Sequence, residues 1–300
     1  MEKFKRFDIQ LFAEENMNAA ADLEPGISID FVSNFNSNIT ELQKVLGITD
    51  MESMSAGTTI KIWKMEQVNT PAQVGEGETI ALTKVERKHV RDIELTLKKY
   101  RRSTSAEAIQ KVGRNMAINQ CDDKLISNIQ KGIKQDFFDV MLAGEGTGVD
   151  GVTLQSALAN AWAKLNVFHE DEGASPIHFL SPLDVGEYLG AAQITMQNAF
   201  GMTYVEDFLG LGTVIVSPRV TKGKVISTAK ENLHGAYIPA NSGDVAQSFG
   251  LTSDSTGLIG MKHSADDTNA TINTLVMSGV VFYPERLDGV FVGNITGAGA

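Results

Sequence analysis

Apolar and polar residues alternate along much of the stretch from residue 57 to residue 103. Residues 93–97 show the clearest case, because their apolar members recur with a period of two, as in a strand with one solvated face. We predict strands over residues 58–68, 79–85 and 90–97. The alternation changes phase between Ile62 and Trp63, which indicates a β-bulge. The stretch therefore predicts an extended, largely polar hairpin rather than a buried sheet.

After residue 103 the apolar residues recur with the period of a helix. Thr104 and Glu107 have the spacing of a capping box, in which each side chain bonds the free backbone N–H of the other residue, so we predict a helix that begins at Thr104. It runs to about Lys131, with Gly132 as the residue that ends it. Its apolar face is marked by Ile109, Val112, Met116, Leu125 and Ile129. Roughly 27 helical residues would make a rod about 40 Å long, a spine for the fold.

An acidic stretch, residues 14–50, precedes the hairpin and contains a second helical pattern. Its apolar positions are Phe31, Phe35, Ile39, Leu42 and Leu46. Asp30 is suited to begin this helix and Gly47 to end it. Two alternatives stay open for the apolar face: it packs on the chain's own core, or it docks on a neighbouring subunit. Under the second alternative, Phe31 and Phe35 are candidate inter-subunit contacts.

The second half of the chain has mixed helix and strand patterns after a glycine-rich joint at residues 143–151. Helices are predicted over 153–165 and from Ser181, and strands over 177–180, 212–217, 224–228 and 234–238. Residues 150–245 are predicted to form a second, compact lobe. Further strands are predicted over 271–277, 279–283 and 289–294, and we expect them to close a sheet beneath the long helix.

Composition narrows the class of protein. The chain has 300 residues and a net charge of −11, so most of its surface would repel nucleic acid and anionic membranes. Cys121 is the only cysteine and cannot form an internal disulfide, which is typical of a protein kept in a reducing cytosol. No apolar run approaches the ~18 residues of a membrane span, and we identify no export signal.

One segment has the opposite charge to the rest of the protein. Between Lys84 and Arg102, eight basic residues stand against three acidic ones, so this segment is net +5 and the remainder of the chain is −16. We predict that these basic residues contact another copy of the acidic chain: Lys84, Arg87, Lys88, Arg91, Lys98, Lys99, Arg101 and Arg102. A solvated strand face and a nucleic-acid site remain alternatives. The latter has only Tyr100 to stack on a base.

Candidate catalytic and metal-binding patterns are few. Residues 146–151 match G-x-G-x-x-G, which leaves a nucleotide-dependent enzyme as an alternative, but no repeated strand–helix units surround them, and we interpret them as a hinge. The acidic groups beside His169 and His263 could hold a hard cation but are typical of surface turns. We find no P-loop, hydrolase serine motif or zinc-type histidine pair. The prediction is a protein that is not an enzyme and has no cofactor or metal.

Specific stretches resemble a known family. FDIQLFAEE (7–15) looks like the leader of the major capsid proteins of tailed bacteriophages with the Hong Kong 97 fold. VGEGETIALTKVERK (74–88) and ELTLKKYRRSTSAEAIQ (94–110) are similar to their hairpin-to-spine transition, and GVVFYPERLDGVFVGNIT (279–296) to their final strands. The resemblance covers nearly the whole chain, and the stretch 74–110 is its most distinctive part.

The resemblance implies an α+β fold with four parts. They are an N-terminal arm (1–56), an extended β-hairpin loop (57–103), a peripheral domain with the spine helix and a sheet (104–150 and 246–300), and an α/β axial domain (151–245). It implies self-assembly into pentamers and hexamers of an icosahedral phage head around double-stranded DNA, bound without sequence specificity. The loop would lie across a neighbouring subunit.

The resemblance also implies partners and a location. The expected partners are other copies of the chain, a portal protein and, because only about 56 residues precede the loop, a separate scaffolding protein. The expected location is the virion, after assembly in the cytoplasm of the host bacterium, with no membrane contact. Some members are cross-linked covalently through a lysine in the loop. Residues 69–78, the loop tip, contain no lysine, so no bond through the tip is expected.

Overall fold

A computed structural model describes residues 20–48, 51–67, 82, 84–170, 173–189, 196–199, 202–241, 243–253 and 255–297. The helices of these residues are α1 (Ala20–Leu46), α2 (Ala106–Val112), α3 (Arg114–Met141), α4 (Leu154–Phe168), α5 (Pro182–Leu189) and α6 (Gly243–Phe249). The strands are β1 (Met51–Ser53), β2 (Thr59–Gln67), β3 (Val85–Glu94), β4 (Lys98–Ser105), β5 (Pro176–Leu180), β6 (Gln197–Ala199), β7 (Met202–Val205), β8 (Thr213–Val216), β9 (Lys224–Ala229), β10 (Leu233–Tyr237), β11 (Ile259–Asp266), β12 (Thr271–Ser278), β13 (Val281–Pro284) and β14 (Phe291–Asn294).

These strands form four sheets. The largest has the order β14-β9-β5-β8-β7-β6 and is the sheet of the α/β lobe; two others have the orders β11-β12-β4 and β1-β10-β13. The fourth sheet is the hairpin β2–β3. The C-terminal strand β14 pairs with β9 inside the α/β lobe, whereas β10 leaves that lobe to pair with β1 and β13. The two parts of the chain thus exchange strands, which ties them together.

The main core lies where α1 and α3 meet the sheets. Phe137 and Phe138 on α3 and Phe179 on β5 form an aromatic cluster with edge-to-face ring contacts and centroid distances of 5.3 to 5.5 Å. All three side chains are buried in the largest apolar cluster. Such ring pairs add to the free energy gained by burying apolar area. This cluster therefore joins the long helix to the α/β lobe.

Helix α1 packs on this same core, which corrects one prediction. Phe31 is 3% exposed and Phe35 is fully buried, and both belong to the largest apolar cluster together with residues of α3 and β5. Side chains with so little accessible surface cannot contact a neighbouring subunit. The alternative, a helix face packed on the chain's own core, is the one that the structure shows. The predicted end at Gly47 is confirmed by its φ of 76°, which favours glycine.

The spine helix of the structure differs from the predicted one: it starts and ends at other residues, and it is broken near its start. The N-cap is Ser105, whose side chain accepts a hydrogen bond from the backbone N–H of Ala108. Gly113, with φ 86° and ψ 150°, then separates α2 from α3. The helix does not end at Gly132 but continues to Met141. Burial of Phe137 and Phe138 beyond Gly132 explains the continuation, since tertiary packing outweighs the weak helix propensity of glycine.

The hairpin has the predicted bulge. Strands β2 and β3 pair antiparallel from Thr59 opposite Glu94 to Gln67 opposite Val85, and the register shifts between Ile62 and Trp63. At about 3.4 Å per residue, nine residues of β2 extend for roughly 30 Å. The root of the hairpin is not purely polar, because Ile60 and Ile62 are buried against the body. The apolar root fixes the point at which the polar remainder of the hairpin extends from the body of the protein.

The α/β lobe has a buried histidine that makes its stability depend on pH. His178 on β5 is fully buried; its Nδ1 lies 2.7 Å from Ser227 Oγ and its Nε2 lies 3.1 Å from the carbonyl oxygen of Leu211. Burial lowers the pKa of His178 to about 4, because the charged imidazolium loses its water. The folded chain therefore holds His178 neutral at the pH where an unfolded chain would protonate it.

We expect acid to destabilise the lobe through His178. The folded pKa of His178 lies below the ordinary value of 6.5, so its contribution is complete above pH 6.5 and is lost as the pH falls toward 4. The loss should be about 2–3 kcal/mol in the free energy of unfolding. Urea unfolding at pH 7, 5.5 and 4 measures it. His178→Gln should remove this part of the pH dependence, and an equally steep profile in that variant would contradict the assignment.

Candidate inter-subunit surface

The basic segment predicted as a contact surface is divided between two sheets. Residues Lys84 to Arg91 lie at and along β3 of the hairpin, whereas Lys98 to Arg102 lie on β4, which belongs to the sheet β11-β12-β4. The connection between the two strands is only residues 95–97. Leu95 is buried there with Ile60 against β10 and β13. The segment therefore forms two cationic surfaces, and the buried side chain of Leu95 holds the connection between them on the body of the protein.

The hairpin exposes most of its cations. Arg87 and Lys88 are exposed on β3, and Lys84 is exposed beside Glu86, with which it forms an ion pair. Arg91 is half-buried near the root. An exposed ion pair such as Lys84–Glu86 contributes little to stability, so it leaves the hairpin free to respond to a partner's charge. A cleft of about 270 Å³ separates the root of the hairpin from α3.

Strand β4 divides its cations between two faces. Lys98 faces α3, where it forms an ion pair with Asp136, and Arg102 interacts with the carboxylate of Asp122 on the same helix. Lys99 and Arg101 point to solvent, and Arg101 Nη2 lies 3.8 Å from Asp266 Oδ2. β4 is an edge strand of its sheet, and exposed basic residues are a common way to keep such an edge from pairing with other strands. The ion pair of Lys98 with Asp136 thus helps to hold the helix on the sheet.

The glycine segment contributes its backbone to the α/β lobe. The N–H of Gly146 donates to the carbonyl oxygen of Val290 at 2.9 Å, and the N–H of Gly151 donates to that of Asn294 at 3.0 Å. A phosphate site of the G-x-G-x-x-G type needs such N–H groups to point at the ligand. At both ends of this motif they bond carbonyl oxygens in or next to the C-terminal strand β14 instead. The hinge interpretation also changes, because isolated β-bridges join Gly146 to Phe291 and Gly151 to Ile295.

Close packing explains the glycine at position 151. A Cβ atom placed there would lie 2.3 Å from the backbone nitrogen of Ala157 in α4. We expect Gly151→Ala to lower the free energy of unfolding by about 1–3 kcal/mol, the usual effect of overpacking. Gly186→Ala is a suitable comparison, because no atom lies within 4 Å of that position and, as at Gly151, the backbone is not in the left-handed region. Urea denaturation compares the two, and equal losses would contradict a steric cause at Gly151.

A buried polar cluster that the sequence analysis missed joins α3 to the sheet. Thr274 Oγ1 on β12 lies 2.9 Å from His263 Nδ1 on β11 and 3.4 Å from Asp122 Oδ1 on α3, and His263 Nε2 lies 3.5 Å from Asp122 Oδ2. Hydroxyl, imidazole and carboxylate are the groups of a hydrolase triad. All three residues are less than 9% exposed, so a substrate could not reach the hydroxyl. The arrangement is structural.

The signal that could have revealed Asp122 is the true periodicity of α3. The buried stripe is Ile118, Asp122, Leu125, Ile129 and Ile133, so a carboxylate occupies one position of a stripe that is otherwise apolar. The predicted stripe began with Ile109, Val112 and Met116 instead. Val112 and Met116 are 42% and 56% exposed, because the break at Gly113 changes the helical phase. The phase error concealed the one acidic residue on the buried face.

The candidate cation sites gain no support. His263 is buried on the helix side of the sheet, away from the exposed turn that carries Asp267. Glu170 is exposed beside His169, and residues 171 and 172 lie outside the described part of the chain. Among the described residues, no group of three histidine, cysteine or acidic side chains is placed to hold a metal ion. Among the same residues, no helix is long and apolar enough to cross a membrane.

Comparison with known proteins shows the fold. No protein-family model and no curated protein matches the sequence. The structure is similar to the virus-like particle from Pyrococcus furiosus, with a TM-score of 0.51 and 13% identity over 91% of this chain and 98% of that one. It is also similar to a chain of the Cyanophage A-1(L) capsid asymmetric unit, with a TM-score of 0.53 and 11% identity over 86% of this chain and 93% of that one. The chain has the Hong Kong 97 capsid fold.

The predicted α+β architecture is confirmed in the terms of this fold. The hairpin β2–β3 is the extended loop, α3 is the spine helix, β11-β12-β4 is the peripheral sheet, and the six-stranded sheet with α4 and α5 belongs to the axial domain. The exact domain ranges stay a prediction. The strand exchange of β10 and β14 shows that the sheets do not follow those ranges along the chain.

The ten predicted contact residues fall into three groups. Exposed are Lys84, Arg87, Lys88, Lys99 and Arg101; half-buried are Arg91, Lys98 and Arg102; buried are Phe31 and Phe35. For the exposed and the half-buried residues, a contact with another copy stays a prediction. The loop tip 69–78, expected to lack a cross-linking lysine, and the leader 7–15 lie outside the described residues.

Proposed function

We propose that the chain is a structural protein, the repeating subunit of an icosahedral head of a tailed bacteriophage. Copies would associate as pentamers and hexamers, and the closed shell would enclose double-stranded DNA. The observation that carries this proposal is the extended hairpin, which exposes cations while the rest of the chain is strongly acidic. Its occurrence on a fold similar to those of a virus-like particle and a phage capsid supports the same function.

Electrostatics supports docking of the hairpin on another copy. Arg87 and Lys88 are exposed on β3, and the chain outside residues 84–102 has a net charge of −16. Opposite potentials on two surfaces guide them together and disfavour other orientations. Because the apolar root holds the base of the hairpin on its own body, the polar remainder is left to reach a neighbour.

The proposed partners follow from the same function. A separate scaffolding protein would direct the curvature of the shell, a portal protein would occupy one vertex, and the packaged DNA would be enclosed without sequence-specific contacts. An acidic wall suits such a container, since it gives the phosphate backbone little to bind. The subunit would assemble in the host cytoplasm, remain in the virion and have no catalytic activity.

The two alternatives are not favoured by the structure. For DNA binding through the basic segment, Lys98 and Arg102 are engaged with α3, and Tyr100 is half-buried on that same face, so the segment does not offer a stacking platform. For a nucleotide-dependent enzyme, the N–H groups at both ends of the glycine motif bond the carbonyl oxygens of Val290, just before β14, and of Asn294 on β14. Neither arrangement provides the chemistry that its function requires.

Sedimentation velocity of the purified protein over a series of salt concentrations tests the proposal. We expect species much larger than one chain at low salt, and a decreasing proportion of them as salt screens the contact between the hairpin and the acidic body. Addition of double-stranded DNA should not change the distribution. A single species of one chain at every concentration and salt would contradict the proposal, and a complex that forms only with DNA would support the DNA-binding alternative.

A further inference from the structure

The polar cluster of Asp122, His263 and Thr274 lies at the contact between the spine helix and the peripheral sheet. Asp122 belongs to α3, His263 to β11 and Thr274 to β12, so the cluster joins three elements that are distant in the sequence. Asp122 is 4% exposed and stands between Ile118 and Leu125 on the buried stripe of the helix. A carboxylate in such a position is costly to the fold unless it is protonated or neutralised by a cation.

The distances are such that one proton, on Asp122 or on His263, completes the hydrogen bonding of the whole cluster. Thr274 Oγ1 reaches both His263 Nδ1, at 2.9 Å, and Asp122 Oδ1, at 3.4 Å, while His263 Nε2 faces Asp122 Oδ2 at 3.5 Å. With a proton on Asp122 or on His263, every polar contact in the cluster joins a donor to an acceptor or a cation to an anion. Without that proton, the carboxylate remains buried opposite a neutral imidazole.

The charged groups around the cluster come from each element packed on it. Arg102 on β4 interacts with the carboxylate of Asp122 and favours its charged form, whereas Asp123, the next residue of α3, disfavours it. Burial has the largest effect and, with Asp123, raises the pKa of Asp122 to about 7, against the smaller opposing effects of Thr274 and Arg102. The charge of the cluster therefore changes near neutral pH.

We propose that Asp122, His263 and Thr274 form a proton-dependent latch that holds the spine helix on the peripheral sheet. While the cluster holds its proton, α3 is fixed; when the proton is released to solvent, the buried carboxylate weakens the contact. The latch is a property of the single chain and does not depend on assembly.

The direction of the pH effect follows from the raised pKa of Asp122. A carboxyl group whose folded pKa lies above its ordinary value of 3.8 binds a proton more tightly in the folded state. Its contact is therefore strongest at acid pH, weakens as the pH rises toward 7, and is weakest above 7. This direction is opposite to that expected for His178, so the two regions of the chain can be distinguished by their pH profiles.

Hydrogen exchange of the full chain, read by mass spectrometry on peptides from α3 and from β11 and β12, tests the latch. After correction for intrinsic exchange rates, we expect protection of these peptides to fall about tenfold between pH 6 and pH 8. Asp122→Asn, which cannot lose a proton, should show no such fall. Asp139→Asn is the matched control, because Asp139 is exposed near the other end of the same helix, and it should behave nearly as the unmodified chain does.

A second variant keeps the test decisive if Asp122→Asn does not fold. Thr274→Val retains the shape of the side chain but removes the hydroxyl that favours the charged form of Asp122, so the loss of protection should move to higher pH. The proposal is overturned if the unmodified chain keeps equal protection at pH 6 and pH 8. It is also overturned if Asp122→Asn loses protection as the unmodified chain does, or if Thr274→Val leaves the profile unchanged.

Discussion

Reversal of two charges on the hairpin, R87E/K88E, is expected to abolish assembly of the protein while leaving the single chain folded. Both side chains are exposed on β3, away from the apolar root, so the fold does not depend on them. Facing an acidic neighbour, each reversal replaces an attraction with a repulsion. A loss of about 2–3 kcal/mol per contact would weaken each contact by roughly a hundredfold, and a shell repeats that contact many times. Sedimentation velocity measures the outcome.

The control for this variant changes the same amount of charge elsewhere. Lys164 lies on α4 and Lys222 lies in the turn before β9, and both are exposed. K164E/K222E makes the chain equally more acidic without touching the hairpin. If assembly depends on the position of the charges, the control should still form large species. Equal loss in both variants would show that net charge alone, and not the hairpin, decides association.

Phe138→Ala should destabilise the chain by about 3–5 kcal/mol, the usual range for loss of a large buried aromatic side chain. Phe138 is fully buried, and its ring lies 5.3 Å from that of Phe137 and 5.5 Å from that of Phe179. The cavity would open where the spine helix meets the α/β lobe, so a large part of the molecule loses support. Urea denaturation followed by circular dichroism measures the change in the free energy of unfolding.

Phe249→Ala is the matched control for Phe138→Ala. Phe249 is the last residue of α6 and is 46% exposed, so the same truncation removes much less buried area. We expect a loss below about 1 kcal/mol there. Similar losses at the two positions would mean that the aromatic cluster on α3 is not the core that joins the helix to the lobe.

Local sequence patterns predicted those elements whose neighbours are close in the sequence. The hairpin and its bulge between Ile62 and Trp63 depend on alternation within one strand, and the structure confirms both. The end of α1 at Gly47 depends on the freedom of glycine to take a positive φ, and it too is confirmed. These features need no knowledge of distant contacts, so a single sequence carries enough information for them.

Several features that depend on distant contacts were predicted incorrectly or not at all. The helix continues through Gly132 because Phe137 and Phe138 pack on β5, a strand some forty residues later in the chain. Phe31 and Phe35 were left between two alternatives because an apolar helix face has the same pattern whether its own core or a neighbour covers it. Only the position of α3 and the sheets decides the matter.

For the basic segment, too, the sequence alone did not show which residues distant strands would bring together. The charge of residues 84–102 was evident from the sequence, but its division between β3 and β4 was not, because β4 pairs with β12, far along the chain. That pairing turns Lys98 and Arg102 toward α3 and leaves Lys99 and Arg101 in solvent. The segment with one net charge thus has two functions: the hairpin part is available to a neighbour, and part of β4 stabilises the chain itself.

Negative-stain electron microscopy of the purified protein at high concentration and low salt tests the central claim most directly. The proposed function predicts closed shells, or rings with fivefold and sixfold symmetry, that disappear in R87E/K88E and persist in K164E/K222E. A field of uniform particles with the size of one 32.4 kDa chain, unchanged by concentration and salt, would contradict it.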